Sequence, residues 1–401
     1  MCRHVVFAGL NYQPEKSSGD KNFWSDAIRL IASGLDRVSI ISVRKHHLER
    51  EELFVGKCRV TIDYILPQLV ETPDVHYRRR IFWREGAFPL LWGIVEKTIS
   101  AHRIMKKLGS LYAEEPFSHV HLMDNFGPSN RGLLKTINKL GAGMSVSAIA
   151  HQGRNPFLYH PYLKLSYDLS GASIVAYSRA FADWLVKFGL NDRSVKHIPW
   201  GVSPERIGTV GDKASSKEKA GLPADRPLFV WAGYIQQVQR QDFLFLLDCA
   251  RRALAKGLKA TIYFAFKPET FESSFRAFDE PAAGIYVRPT AKDFFDTLKQ
   301  ASDVFLSPIL NKNCIIAPPL TWIEFMSIGV PIITTDVPGS GEIIEDGKTG
   351  YIVDEHNLVD KMFAIAYAHD SFKENCIRKI REDYNMQDIA RRYLELFSKN
   401  G

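Results

Sequence analysis

The sequence predicts an α/β protein made of two open, mainly parallel sheets covered by helices. Three observations predict it. Short apolar strands alternate with helical segments along the chain, the pattern of parallel sheets buried on both faces. The alternation is interrupted at Ile198-Pro-Trp-Gly-Val-Ser-Pro204 and the polar run Asp212 to Lys219, and then restarts. A chain of 401 residues is also longer than one core comfortably serves. Residues 1–203 therefore read as the first domain and 204–384 as the second. Two such domains place a ligand cleft between them, at the carboxyl ends of their strands.

In the first domain, strand His4–Leu10 leads through a polar loop to Gly19 and a helix from about Phe23 to Ser33. Strand Arg37–Val43 follows, and 57–66 alternates enough to be another. Tyr77 to Leu108 reads as mostly helical. His119–Met123, Val146–Ala150 and Ile174–Tyr177 are short buried strands, and Ser178 to Phe188 is a helix. The second domain continues with strand Leu228–Ala232, helix Asp242–Leu254, and strands Ala260–Ala265, Ile285–Val287 and Val304–Leu306.

The segment after Leu306 is the most informative. Pro318-Pro319 opens a helix where missing N–H groups cost nothing, and Gly329 closes it. Val330-Pro331 starts the buried strand Ile332–Thr335, followed by a glycine turn, Gly339-Ser-Gly341-Glu342, a short helix, and a short strand beyond Asp346-Gly-Lys-Thr-Gly350. A helix that begins just after a strand end offers free amides and a positive dipole end to an anion. Glu324 lies about one turn further on. A phosphate and a hydroxylated ring can be held side by side there, which points to a nucleotide-sugar site.

Composition narrows the alternatives. The chain is 45% hydrophobic and 24% charged, which excludes disordered and collagen-like classes. Five scattered cysteines with no C-x-x-C pair suggest neither a zinc site nor a disulfide framework, and fit a reducing cytoplasm. No apolar run approaches the ~18 residues of a spanning helix. Residues 1–200 carry 27 Lys and Arg against 18 Asp and Glu, and residues 201–401 carry 25 against 27. The first half is thus expected to meet something anionic. Tyr77-Arg-Arg-Arg-Ile-Phe-Trp-Arg84 interleaves basic and aromatic residues. It reads as a peripheral membrane-surface patch, a nucleic-acid patch, or an ordinary solvated helix start. No RNP, KH or zinc pattern accompanies it, so no nucleic acid is expected.

These residues resemble the retaining glycosyltransferases of the large family 4, which have the two-domain GT-B fold of Rossmann-like halves. Ser327 through Val353 looks like the family's donor-binding half. Ser173-Ile-Val-Ala-Tyr-Ser178 with Ile198–Val202 is similar to its segment entering the hinge, Val230-Trp-Ala-Gly-Tyr-Ile235 to its first donor-domain strand, and Asp303–Pro308 to the strand before its signature helix. Residues 385–401 match its terminal helix, which packs back on the first domain. The resemblance implies a nucleoside-diphosphate sugar donor, UDP- or GDP-linked, no metal and no cofactor, and retention at the anomeric carbon. The acceptor, a glycan, lipid-linked or small molecule, would be held mainly by the first domain.

Carried over residue by residue, Glu324 matches the second glutamate of the family's Glu–seven residues–Glu motif and would bind the donor ribose; a solvated helix carboxylate is the plain alternative. The first glutamate is absent, because Ile316 stands eight residues earlier. Pro319 and Pro318 occupy positions where the family often offers amides, which leaves Leu320 and Thr321 for the distal phosphate. Asn311, Lys312 and Asn313 are nearby polar candidates for the sugar. In the family's Gly-Arg … Lys pair, Gly233 is kept, Tyr234 replaces the arginine, and Arg240 supplies the second cation for the leaving phosphate. Gly19 lets backbone approach the phosphate or acceptor, or simply makes a turn. Met123 stands where the family often has a histidine, with Asp124 and Asn125 next. Asp124 could assist the acceptor hydroxyl, and a turn or capping role is equally open. His151 at the end of a strand reads as a catalytic-site residue and Arg154 as a contact for an anionic donor or acceptor, against loop polars otherwise. A catalytically degenerate GT-B protein that binds a nucleotide or partner remains the alternative, motivated by Ile316, Tyr234 and Met123.

Overall fold

The computed structural model describes residues 3–10, 20–45, 50–66, 88–123, 130–148, 171–233, 237–268, 271–311 and 317–398. The chain divides into two compact units. One is Met1–Pro199 with Met386–Gly401, and the other is Trp200–Asn385. Residues 200–203 group with the second unit, ahead of the break read at 203/204. There the Val202 N–H donates to the Tyr384 carbonyl at 2.9 Å.

The first unit carries β1 (His4–Leu10), β2 (Arg37–Lys45), β3 (Arg50–Val55), β4 (Cys58–Leu66), β5 (His119–Met123), β6 (Gly143–Ser147), β7 (Ser173–Ala176) and β8 (Val195–His197). Their order is β3-β4-β2-β1-β5-β6-β7-β8. All described pairs are parallel except the hairpin β3–β4. Its helices are α1 (Asp20–Ala32), α2 (Phe88–Glu114), α3 (Asn130–Lys139) and α4 (Arg179–Lys187). The start expected for α2 at Tyr77, and the basic patch through Arg84, lie outside the described residues. β6 begins three residues before the strand read at Val146–Ala150, because Gly143-Met-Ser145 looks like loop in sequence. The structure shows why serines are tolerated in this buried strand. Ser145 Oγ bonds both His119 Nε2 and His121 Nδ1 at 2.8 Å, and Ser147 Oγ bonds His121 Nε2 at 2.8 Å. On the other side of β1, His4 Nε2 meets Ser39 Oγ at 2.9 Å, and Ser39 meets Thr61 Oγ1 at 2.9 Å. A buried polar layer thus runs across the strands, and side-chain partners take the place that water would otherwise fill.

The second unit carries β9 (Leu228–Gly233), β10 (Thr261–Phe266), β11 (Ile285–Pro289), β12 (Val304–Ser307), β13 (Ile332–Thr335) and β14 (Gly350–Val353). They form one parallel sheet in the order β11-β10-β9-β12-β13-β14. The order reverses between β9 and β12, so the switch point of this unit lies at their carboxyl ends. Its helices are α5 (Lys213–Lys219), α6 (Gln237–Ala255), α7 (Lys292–Ala301), α8 (Leu320–Ser327), α9 (Ser340–Ile343), α10 (Leu358–Ala366) and α11 (His369–Asp383). α6 starts five residues before the Asp242 expected from sequence, through a glutamine-rich turn. No described helix is long and apolar enough to cross a membrane.

The polar run read as linker is α5 itself. Asp212 caps it, its Oδ1 accepting from the Ala214 N–H at 3.1 Å. Two of its three lysines meet Asp303, a carboxylate buried just before β12. Lys213 Nζ and Lys217 Nζ approach Asp303 at 2.9 and 2.8 Å, the Leu228 N–H donates to it at 2.8 Å, and His369 Nε2 lies 3.4 Å away. Burial alone would raise the Asp303 carboxyl. Lys213, Lys217 and the Leu228 amide outweigh that and hold it below its ordinary value. One side chain thereby ties α5, β9, β12 and α11 together at the amino edge of the sheet.

The chain ends in α12 (Met386–Ser398), which belongs to the first unit and packs on α1 there. Tyr393 sits 5.6 Å from Trp24 and 5.5 Å from His121, and Phe397 sits 4.7 Å from His119, centroid to centroid. The seat is aromatic, and the histidines in it are neutral. Burial pushes His119 and His121 down to about 3 from 6.5. Burial, aided by Arg37, takes His4 down to about 4, and burial aided by Arg392 and Arg179 takes His197 down to about 4. Below pH 6.5 the unfolded chain therefore binds protons that the folded chain refuses. Stability present above 6.5 is lost as pH falls towards 4. Urea unfolding of the whole chain between pH 7 and about pH 5 should show a steadily falling midpoint, less steep in His121→Gln. A midpoint flat across that window would contradict the neutral histidine layer.

Candidate functional site

The segment from β12 to β13 forms as its residue types require. Pro319 stands at the N-cap of α8 with φ −57°, and the Trp322 N–H donates to the Pro319 carbonyl at 3.0 Å. Among the described residues, the N–H groups of Leu320 and Thr321 have no acceptor. They are the two orphan donors of the helix start, with the positive end of the helix dipole behind them. Gly329 ends the helix with φ +84°, and a Cβ there would lie 2.5 Å from Lys373 Cγ of α11.

The loop entering α8 is held by side chains from three directions. Thr335 Oγ1 accepts from the Ile309 N–H at 2.9 Å and donates to the Ile309 carbonyl at 2.6 Å. Asp242 Oδ1 accepts from the Leu310 N–H at 2.9 Å. At Ser307, the carbonyl accepts from Thr334 Oγ1 at 2.9 Å and the hydroxyl accepts from Trp322 Nε1 at 2.8 Å. β13 suits this role because consecutive strand residues face opposite ways, so Thr334 and Thr335 reach different neighbours. On the far side, Gly339 adopts φ +84°, and a Cβ there would lie 3.1 Å from Pro318 Cδ. Pro318 is buried beneath the glycine turn, so it serves as packing for the loop.

Glu324 follows the free amides by one turn. Its side chain is half-buried, and no hydrogen-bond or ion-pair partner for it exists among the described residues. Burial raises its carboxyl above the ordinary value, while Lys299 and Arg206 pull it back. A desolvated carboxylate without a partner is costly unless something else supplies donors. Asp242 is likewise raised by burial, with the Leu310 amide taking back only part of the rise. Asp242 is a positioning group, and Glu324 is the open one.

The other expected residues are placed unevenly. Pro319, Leu320, Thr321 and Glu324 share α8 and its cap. Gly233 is the last residue of β9, where a Cβ would lie 2.5 Å from Trp231 Cη2; the indole, not a ligand, explains its glycine. Arg240 lies exposed in the first turns of α6, its Nη1 3.8 Å from Glu272 Oε2 and its Cζ 5.6 Å from the Phe275 centroid. Asn311 is exposed just after the anchored loop start. Gly19, Asp124, Asn125, His151, Arg154, Tyr234, Lys312, Asn313 and Ile316 lie outside the described residues. Sequence reading missed Asp242, Thr335 and Asp303. Each is a polar residue at the edge of an apolar run, and such a position was its only signal.

Residues 226–368 match the family described as glycosyl transferases group 1. Those residues hold α8, Glu324, and the anchored loop. They form a group 1 glycosyltransferase domain. Among curated proteins, this chain is 25% identical over 191 residues to a D-inositol 3-phosphate glycosyltransferase from Rhodococcus jostii. That match takes in 42% of this chain and 40% of the relative. Among solved structures, sucrose-phosphate synthase from Thermosynechococcus elongatus superposes with a TM-score of 0.72 at 12% identity, covering 99% of this chain and 98% of that one. HepE from Anabaena, solved in complex with UDP-glucose, superposes with a TM-score of 0.66 at 12% identity, covering 99% of each chain. The two parallel-sheet units are those of the GT-B fold.

The anchored loop gives the glycosyltransferase domain a specific vulnerability. Thr335→Val keeps strand shape but leaves both backbone groups of Ile309 unpaired in a buried position. It should destabilise the second unit by about 1–3 kcal/mol in thermal or urea unfolding. A loss below about 0.5 kcal/mol would show that Thr335 does not hold the loop.

Proposed function

We propose that this chain is a retaining, metal-independent family 4 glycosyltransferase that moves a sugar from a nucleoside-diphosphate sugar to an acceptor hydroxyl. The observation that carries the reading is the juxtaposition on α8. Two amides at a helix start, without an acceptor among the described residues, lie one turn from a half-buried carboxylate that likewise has no partner among them, within the stretch that matches group 1 glycosyl transferases. The amides of Leu320 and Thr321 suit the distal phosphate, and Glu324 suits the vicinal hydroxyls of a ribose, since an ionised carboxylate accepts from both. Similar structures are named in complex with UDP and with UDP-glucose, which supports a UDP-linked donor over a GDP-linked one.

In this reading, negative charge grows on the departing diphosphate as the glycosidic bond breaks. The helix-start amides and Arg240 stabilise that charge where it develops. The acceptor hydroxyl attacks from the face the diphosphate leaves, and a phosphate oxygen takes its proton. No side-chain nucleophile is required. Asp124, Asn125, His151 and Arg154 are assigned to the acceptor side, with Asp124 and His151 next to the chemistry. Gly19 is assigned to backbone approach. The acceptor is a glycan, a lipid-linked molecule or a small molecule in carbohydrate synthesis. The basic first half supports a cytoplasmic enzyme in peripheral contact with an anionic membrane surface.

Calorimetric titration with UDP and GDP tests the site. At least one should bind, and Glu324→Gln should weaken it about 10- to 100-fold, the worth of hydrogen bonds to a charged group. Arg240→Ala should lower turnover of the productive NDP-sugar about 100-fold or more, with a smaller effect on nucleotide binding. If neither nucleotide binds at millimolar concentration, the reading is wrong. If turnover is unchanged in both variants, the site is elsewhere.

A further inference from the structure

Two neighbouring helices of the first unit carry charge of one sign. Residues 98–113 of α2 and the whole of α3 contain Arg103, Lys106, Lys107, Arg131, Lys135 and Lys139, and no aspartate or glutamate. Two of these cations are used inside the fold. Lys107 Nζ meets the buried Asp63 at 2.8 Å, and Arg103 Nη1 donates to the Ile65 carbonyl at 3.3 Å. The other four, Lys106, Arg131, Lys135 and Lys139, are exposed. Their side chains have no hydrogen-bond or ion-pair partner among the described residues.

The two helices touch at the level of these charges. A Cβ on Gly132 of α3 would meet Met105 Sδ of α2 at 3.4 Å. Lys106 follows Met105, and Arg131 precedes Gly132. Packed helix axes lie about 8–10 Å apart, so the cations of both helices open on one outer surface. Exposed residues recur at Ile99, His102 and Lys106 on α2, and at Arg131, Lys135 and Lys139 on α3. That i, i+3, i+4 spacing aligns each set in a stripe. Ile99, at the start of the α2 stripe, is 49% exposed.

Helix stability does not account for this arrangement. Arg131 with Lys135, and Lys135 with Lys139, are like-charge pairs at i, i+4, which weaken a helix. Arg131 stands in the first turn of α3, where the dipole favours an acid and none is present. A solvated face ordinarily mixes both signs. The pattern becomes favourable when a surface of opposite charge lies against it. Flexible ammonium groups beside an exposed isoleucine suit an anionic bilayer, with the cations at the headgroups and the apolar side chain at the acyl boundary. Single-stranded nucleic acid is held largely by stacking on exposed aromatic rings. Tyr112, the one Phe, Trp or Tyr in these stretches, instead packs on Phe117 at 5.1 Å.

We propose that the α2–α3 face is the surface by which the first unit lies on an anionic membrane. The proposal rests on the reading of a peripheral membrane contact and assigns that contact to one face. The test is flotation of the whole chain with phosphatidylcholine vesicles, with and without phosphatidylglycerol, at low and high salt. Wild type should bind only the vesicles that contain phosphatidylglycerol, and high salt should release it. Each cation near an anionic surface is worth about fivefold in partition. The face variant K106Q/R131Q/K135Q/K139Q should therefore partition on the order of several hundredfold more weakly. The control R3Q/K57Q/K187Q/R193Q removes the same charge from exposed positions elsewhere in the first unit and should lose far less. All eight positions are exposed, so both variants should keep the thermal midpoint of the wild type. Equal binding by wild type and the face variant, or an equal loss in the control, would overturn the assignment of this face and leave the membrane contact standing. Failure of the wild type to bind phosphatidylglycerol vesicles, including the case in which it binds an RNA oligonucleotide instead, would overturn both.

Discussion

Thr335 holds both backbone groups of Ile309, and that pair of bonds fixes the chain where it leaves β12. A loop that leaves a parallel strand has no ladder to follow, and its polar backbone must find partners elsewhere. Here the partners are Thr334 and Thr335 of the next strand and Asp242 of α6, while the Ser307 hydroxyl accepts from the Trp322 indole of α8. The chain leaves β12 in one direction, and the Trp322 indole ties α8 to Ser307 at the end of that strand. Anion binding by a helix start works only if the donors are already in position when the ligand arrives. The threonine thus acts on the site through the backbone, without touching a ligand.

The two edges of the second sheet do different work. At the amino edge, the buried Asp303 is surrounded by Lys213, Lys217, His369 and the Leu228 amide, and every charge has a partner. Removing one member of such a cluster would leave the others buried and uncompensated, which commonly costs several kcal/mol. At the carboxyl edge, Glu324 is desolvated, and among the described residues neither it nor the amides of Leu320 and Thr321 have a partner. Stability is concentrated at one end, and unsatisfied polar groups are left at the other. The first unit handles buried polarity differently, through neutral histidines and serines across its strands, with the aromatic face of α12 laid over them.

Much of this was legible in the sequence, and the exceptions have physical causes. Apolar runs such as Thr261–Phe266, buried throughout, announce central strands because helices cover both faces. The proline pair and Gly329 mark the bounds of α8, since each residue type has a backbone reason to be there. Glu324 was found through motif spacing, and its lack of a partner needed the structure. β6 was displaced because Ser145 and Ser147 look like loop until His119 and His121 are seen across the strand. α5 looked like a linker because its lysines seemed solvated, yet Lys217 is buried against Asp303, 86 positions on in a chain of 401. The hairpin strand β3 was missed because its outward face, Arg50, Glu52 and Phe54, carries no core pattern. Contacts between distant positions are invisible to local pattern, and these were the contacts that fixed the loop and the edge charges.

The most direct test of the central claim is a crystal structure of the chain soaked with UDP, or with GDP if that is the nucleotide that binds. The account predicts density for the distal phosphate within hydrogen-bond distance of the Leu320 and Thr321 amides, with both ribose hydroxyls against the Glu324 carboxylate. A nucleotide bound in the reverse sense, or one lodged away from α8 with Glu324 still without a partner, would contradict it.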